Sequence, residues 1–519
     1  MKPEQHTLSL TIKQRAHRIL DIISQGLYER EEVMAMAFLA AIAGESIFML
    51  GPPGVGKSML ARRLKYAFKE GRSFEYLMNR FSTPDEIFGP ISISRLSKED
   101  KYERITDSYL PGATVVFLDE IWKAGPSIQN ALLTVINEKL YRNGEQEINV
   151  KLQALISASN ELPEKGEGLE ALWDRFLIRC FVDRILDEEA FYSMITSLNT
   201  TDDVEIEEAL RLQEEEVKQW SSEINQINVP EEVLSVITVI RKLIARYNQG
   251  NISEEEQVYV SDRRWRKIIR LLRTSAFLND RTAVNLVDCL LISHCLWSTP
   301  KQIEKVKEWV NEAVYEFGWQ KKYNLKSVNR QVELYSQEIE HKTKEEKELY
   351  MTVPKLIDNK YYQLDGFNSW HDKILVDDFE LLSGTSVDCK LYAQTGMGEV
   401  YELSKISPTE VEIRIGEGYQ RFSLITHEEH RKGMVAKPTS TPVVKQLNET
   451  AEKIITYLNG VALELQETRE RIMDKDGHLF ISHKRKLEMD DFLNGIMQEV
   501  LDMKLKVQKM KDSYGGNLV

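Results

Sequence analysis

Residues 51–58 read GPPGVGKS and fit the pattern G-x-x-x-x-G-K-S/T without a mismatch. Glycine at 51, 54 and 56 allows backbone conformations that turn N–H groups inward on an anion. A helix beginning there adds its positive end. At this spacing Lys57 reaches the outer phosphates of a nucleoside triphosphate, and Ser58 can ligate Mg²⁺. The expected ATP-binding residues are Gly51, Pro52, Pro53, Gly54, Val55, Gly56, Lys57, Ser58 and Met59.

Four more positions could complete a hydrolytic site. The run VVFLDE ends in two acids: Asp119 can hold the magnesium with Ser58, and Glu120 can orient or polarise a water. Asn160, at the end of LISASN, can orient the same water or sense the γ-phosphate. Arg175, in LWDRFLIR, can stabilise transition-state charge on a nucleotide in a neighbouring subunit; Arg179 is its rival. Arg263, in VSDRRWRK, opens a helix and can report nucleotide state to the domain that carries it; Arg264 is the alternative. Glu120, Asp119, Arg175 and Asn160 are the catalytic candidates.

The surrounding pattern supplies elements to hold these groups. SIFML (46–50) is a short continuous apolar run, as a buried parallel strand requires. TVVFLDE (114–120) and LQALISASN (152–160) predict two more strands, with helices between them, including 127–140. Strands alternating with helices predict a parallel α/β sheet. From about 185 to 310 the periodicity is helical. The stretch 331–350 reads as a charged helix. From about 355 to 435 short strand patterns and turn signals predict a small β unit, where Val411, Ile413 and Ile415 alternate onto one face. Val444, Leu447, Ala451, Ile454, Leu458, Val461 and Leu465 form a coiled-coil seam, and a second tail helix spans about 487–512. Two tail helices need a third surface, so the β unit is expected to interrupt a three-helix stalk.

Composition narrows the class. The chain has 519 residues, enough for roughly three domains, and a formal net charge of −14. An acidic surface repels a phosphate backbone, which disfavours nucleic acid as a partner. None of the four cysteines forms a C-x-x-C pair, so structural zinc and a disulfide framework are not expected. No apolar run approaches the ~20 residues of a membrane span, and the first twenty residues lack the apolar core of a leader. A cytoplasmic chain is expected.

The motifs resemble, in order, those of AAA+ ATPases: phosphate loop, acid pair, asparagine sensor, finger arginine, lid arginine. The looser similarity is to the MoxR group, and the closer one to the RavA (regulatory ATPase variant A) proteins. It is carried by GLYER, GESIFMLGPPGVGKS, ARRLKYAF, RFSTPDEIFGP, YERITDSYLPGA, VVFLDEIWKAGPSIQNALLTVINE, ASNELPE, LEALWDRFLIR and VSDRRW, which span 26 to about 300, and more thinly by HLFISHKRK (478–486). The resemblance implies a multidomain α/β and α+β chain. An αβα nucleotide-binding subdomain (1–190) and a helical lid (191–308) form the AAA+ module. A discontinuous triple-helical domain (309–354 and 437–519) surrounds a small β-rich partner-binding domain (355–436).

The resemblance further implies a homohexameric ring that hydrolyses ATP with Mg²⁺ and remodels partner proteins beside a von Willebrand factor A (VWA) protein of the ViaA type. An alternative is a nucleotide-gated scaffold, whose β-rich domain would hold a partner such as an inducible lysine decarboxylase. A small-molecule kinase needs neither lid nor finger arginine, and a DNA motor fits poorly with the net charge.

Overall fold

The computed structural model describes residues 10–69, 71–163, 168–197, 204–250, 252–253, 256–367, 370–474 and 477–515. Residues 1–9, part of the stretch read above for a leader, and Glu164, the last residue of ASNELPE, lie outside them. The chain divides into two compact units. One comprises Met1–Val328 with Tyr457–Met503, and the other Asn329–Thr456 with Lys504–Val519.

The first unit contains five strands in one parallel sheet: β1 (Ser46–Leu50), β2 (Ser73–Leu77), β3 (Val115–Asp119), β6 (Ala154–Ser159) and β7 (Phe176–Phe181), in the order β2-β3-β6-β1-β7. A hairpin of β4 (Leu140–Asn143) and β5 (Gln146–Asn149) stands apart from that sheet. β1 and β6 are buried at every position, because parallel strands are covered on both faces. The register sets Leu50 beside Ser159 and Asp119 beside Ala158. Three loops therefore leave the same end of three adjacent strands.

Helix Glu31–Ala43 is buried at every residue from Met34 to Ala43, which fits a sequence apolar on all sides. Gly44 ends it in the left-handed conformation, φ 72°. The lid that follows is helical, with principal helices Glu214–Gln226, Glu231–Asn248, Asp262–Leu278 and Ile303–Glu312. Ser261 caps the third, its hydroxyl accepting from Arg264 N at 3.2 Å.

Three further helices run Leu325–Thr343, Thr441–Met473 and His483–Gly515. All seven seam residues, Val444 to Leu465, are buried. Within the first unit Tyr457 donates to Tyr323 O at 3.1 Å, and Lys322 pairs with Glu464 at 2.8 Å. Within the second, the Tyr335 and Tyr514 hydroxyls meet at 2.8 Å and Lys511 pairs with Glu452 at 2.5 Å.

The charged stretch 331–350 is helical only to Thr343. From Lys344 it becomes β8 (Lys344–Pro354), paired antiparallel with β16 (Thr426–Ala436) over eleven residues. Lys and Glu favour a helix locally, but a non-local ladder overrides that weak preference. The second unit also holds an antiparallel sheet of β9 (Leu356–Ile357), β10 (Tyr361–Gln363), β11 (Lys373–Leu375), β12 (Val387–Tyr392), β13 (Gly398–Ser407), β14 (Glu410–Ile415) and β15 (Gly418–Ser423), in the order β15-β14-β13-β12-β11-β10-β9. Leu364, Ile374, Phe379, Leu391, Leu403, Val411 and Ile413 fill its core. Ile415, expected beside Val411 and Ile413, is 42% exposed at the end of its strand. Of the aromatic residues, Phe379 is core and Tyr362 packs against it, while Trp370 stands in solvent.

Candidate nucleotide site

The loop after β1 is built on glycine for a steric reason. A Cβ at Gly51 would lie 1.9 Å from Val182 O, where the backbone of the neighbouring strand passes. Gly54 and Gly56 adopt φ of 81° and 86°. Helix Lys57–Leu64 starts directly after Gly56, and Lys57, Ser58 and Met59 form its first turn. Pro52 and Pro53 are exposed on the outside of the loop.

Lys57 is buried and turns back over its own loop. Its Nζ donates to Gly51 O, to Pro52 O at 3.1 Å and to Asn160 Oδ1 at 2.8 Å. Burial lowers the ammonium's pKa, and the charges of Asp119 and Glu120 oppose that. The other end of the Asn160 amide, Nδ2, donates to Glu120 Oε1 at 2.8 Å. Ser159 Oγ donates to Glu120 Oε2 at 3.2 Å, and Lys123 Nζ lies 3.3 Å from that oxygen. Lysine, sensor amide and glutamate thus form one chain of contacts across β1, β6 and β3.

Glu120 has φ 50°, a left-handed conformation that costs a residue with a Cβ about 1–3 kcal/mol and clusters at functional positions. It sits where β3 turns into the short helix Ile121–Lys123. Asp119 is half-buried, and its Oδ1 accepts from Glu120 N at 3.0 Å. Burial raises its pKa, against the pull of that amide and of Lys57.

The two arginine pairs separate clearly. Arg179 is buried, with its guanidinium 3.8 Å from the Trp173 ring centroid. It donates to Trp297 O, to Trp173 O at 3.2 Å and to Phe176 O at 3.3 Å. Arg264 is equally buried and donates twice to Phe176 O, at 2.7 and 3.2 Å. Both are committed to carbonyls that join the sheet to the lid. Arg175 has Asp174 at 3.8 Å, and its buried Nε has no hydrogen-bond partner among the described residues. Burial and the charge of Arg263 lower its pKa. Arg263 donates to Asn137 Oδ1. Arg175 and Arg263 are therefore electrostatic neighbours.

One positioning residue escaped the sequence reading. Arg30 is buried at the N-cap of helix Glu31–Ala43 and donates to Val55 O at 3.1 Å, to Glu29 O at 2.9 Å and to Asp183 O. It fastens the phosphate loop to the segment after β7. Its only signal was membership of the block GLYER, since no spacing rule points an arginine at a carbonyl 25 residues away.

The donor set fits a magnesium nucleotide: a glycine cradle that a Cβ would fill, a helix N-terminus, a buried ammonium and a half-buried carboxylate. Among the described residues no cluster of His, Cys, Asp and Glu makes a separate metal site, and no helix is long and apolar enough to cross a membrane.

Comparison with known proteins agrees with this geometry. The family model for the MoxR domain of MoxR–vWA–beta-propeller ternary systems matches residues 14–222, and that for an AAA lid domain matches 232–310. Two uncharacterized proteins of Methanocaldococcus jannaschii are each 34% identical to the chain. The similarity covers 55% and 56% of this chain, and 71% and 73% of theirs. A crystal structure described as "a putative ATPase from Cytophaga hutchinsonii" is 17% identical, over 58% of this chain and 94% of that one, with a TM-score of 0.45. A parallel sheet with a phosphate loop on its central strands, a helical lid behind it and relatives matched over most of their length place this chain in the MoxR group of AAA+ ATPases.

Proposed function

We propose that the chain hydrolyses ATP in a cytoplasmic homohexameric ring and uses the cycle to remodel partner proteins. The observation that carries the hydrolytic part is the Lys57–Asn160–Glu120 chain, which sets a phosphate ligand and a general base on the two ends of one amide. Lys57 and the amides of residues 54–59 would bind the phosphates, and Ser58 and Asp119 would hold Mg²⁺, which when bound neutralises phosphate charge. Glu120 accepts the proton of the attacking water, and Asn160 and Ser159 fix the direction of its carboxylate. Arg175 supports the ring reading. It lies beside Asp174 and Arg263, and its buried Nε has no hydrogen-bond partner among the described residues, which suits a group offered to a neighbouring nucleotide.

The description of the matched MoxR family supports a vWA-domain partner of the ViaA type. The layout of three long helices interrupted by a β-rich segment from Lys344 to Ala436 supports the RavA subgroup, with domain boundaries proposed near 190 and 308 in the AAA+ module. A second reading, a nucleotide-gated scaffold, is favoured by the connections of the β sheet, where Trp370, Leu381 and Met397 are 90%, 83% and 72% exposed. A partner such as the inducible lysine decarboxylase would dock there.

The test compares steady-state phosphate release by the unmodified chain, Lys57→Ala and Glu120→Gln, with mass measured in ATP. Turnover by the unmodified chain alone, with Glu120→Gln still assembling in ATP, is expected. Undiminished turnover in either variant overturns the assignment. A scaffold retains regulation of its partner in Glu120→Gln; a remodeller loses it.

A further inference from the structure

A segment from near the far end of the chain packs on the lid. Residues 477–482 lie between helix Thr441–Met473 and helix His483–Gly515, and with the first turn of the latter, 483–486, they belong to the first unit. Phe480 and Ile481 are buried. His478 Nε2 lies 2.9 Å from Asp288 Oδ1; Arg281 also grips that buried carboxylate with two bonds of 2.7 Å, and Ser275 Oγ donates to it at 2.6 Å. Leu479 N donates to Asn279 Oδ1 at 3.1 Å. Arg485 donates to Leu290 O at 2.9 Å and to Ser293 Oγ at 3.0 Å.

The same segment reaches the nucleotide-binding half. Arg485 bonds Ser293 Oγ, and the next residue, His294, sets its Nε2 3.2 Å from the Glu32 carboxylate; Ser482 and the charge of Arg485 also favour the ionised form of that carboxyl. Burial would raise this carboxyl; the His294 hydrogen bond and the His294 and Arg485 charges outweigh that and bring it down to about 2. Glu32 stands in the first turn of helix Glu31–Ala43, whose N-cap is Arg30. Arg30 in turn donates to Val55 O of the phosphate loop. The helix is buried from Met34 to Ala43, and Glu32 stands two residues after the N-cap, so a shift of the first turn at Glu32 moves Arg30 and its acceptor with it.

We propose that residues 477–486 are a latch coupled to the nucleotide site. When the latch is docked on residues 288–293, beside the His294–Glu32 pair, it fixes the Arg30 turn and the phosphate loop. Nucleotide occupancy and latch docking therefore strengthen each other. The latch joins two tail helices in sequence, so a load on either helix reaches it directly. This inference rests on the nucleotide reading of the phosphate loop.

The test uses the full chain and ADP, whose binding requires no hydrolysis. Amide hydrogen exchange at 478–486 is expected to slow when ADP saturates the unmodified chain. Arg485→Ala is expected to weaken ADP binding about fivefold or more, with partial rescue by Arg485→Lys, which keeps the charge near Glu32. Unchanged exchange at 478–486 overturns the latch, even if Arg485→Ala fails to fold. ADP affinity in Arg485→Ala within about twofold of the unmodified chain also overturns it. Lys57→Ala separates the two readings. If the unmodified chain binds ADP, Lys57→Ala does not and the latch is silent, only the latch fails. If the unmodified chain binds no ADP, both fail.

Discussion

Lys57 and Glu120, a cation and an anion from two different loops, are joined through a single side chain: the Asn160 amide accepts from the lysine and donates to the glutamate, both at 2.8 Å. The amide fixes the direction of both groups, and β6 places it there because β6 runs between β1 and β3.

Asn160→Ala should therefore separate binding from turnover. Removing a preoriented polar group from a charged centre costs roughly 10²–10³ in rate. We expect kcat to fall by at least about tenfold, with the nucleotide dissociation constant changed less than about threefold. Equal losses in both, from phosphate release and equilibrium binding, would show that Asn160 only shapes the loop.

The Arg175–Arg263 neighbourhood predicts complementation between chains. Arg175→Ala alone should lose about a thousandfold in turnover, and Glu120→Gln alone should be nearly inactive. Mixed, the two variants form some sites with an intact glutamate on one chain and an intact arginine on the other. Phosphate release above the sum of the separate variants is expected; no gain on mixing would place Arg175 in its own site.

Gly51→Ala tests the cradle sterically. The new methyl would meet Val182 O at 1.9 Å, and Val182 N is itself bonded to Leu50 O at 2.7 Å. Overpacking against backbone is expected to lower unfolding free energy by about 2 kcal/mol and to abolish nucleotide binding. A denaturant melt of the variant that overlays the parent curve would contradict the contact.

Acid sensitivity should be traceable to the buried pair Asp288 and His478. Burial pulls the His478 pKa down, against Asp288. Burial would raise the Asp288 carboxyl, but Arg281 and the His478 hydrogen bond hold it well below the usual range. Both groups bind fewer protons folded than unfolded, so each stabilises above its unfolded pKa and loses that contribution as pH falls. Stability should begin to decline below about pH 6.5, through the histidine, and decline further below about pH 4, through the aspartate. His478→Gln should flatten the upper part of a melting-temperature profile between pH 7 and 5.

Much of the first unit was legible because its signals are local. A buried parallel strand declares itself as an unbroken apolar run, and SIFML is β1 residue for residue. The glycine loop is equally local. The helix expected over 331–350 gives way to a strand at 344–350, where helix-favouring Lys and Glu are overruled by pairing with a strand some eighty residues away. The role of Arg30 was invisible for the same reason: two of its three acceptors lie 25 and 153 residues off.

By itself, the sequence determined which chemistry is available: a phosphate loop, an acid pair on a strand, and an asparagine and arginines in a fixed order. Those follow from residue type and short spacing. Only the tertiary structure decided which groups meet. Sheet order put Asn160 between Lys57 and Glu120, burial committed Arg179 and Arg264 to backbone carbonyls, and packing of a distant segment brought Arg485 to Leu290 and Ser293. Such contacts depend on strand order and on the packing of faces distant in sequence, which no local pattern encodes.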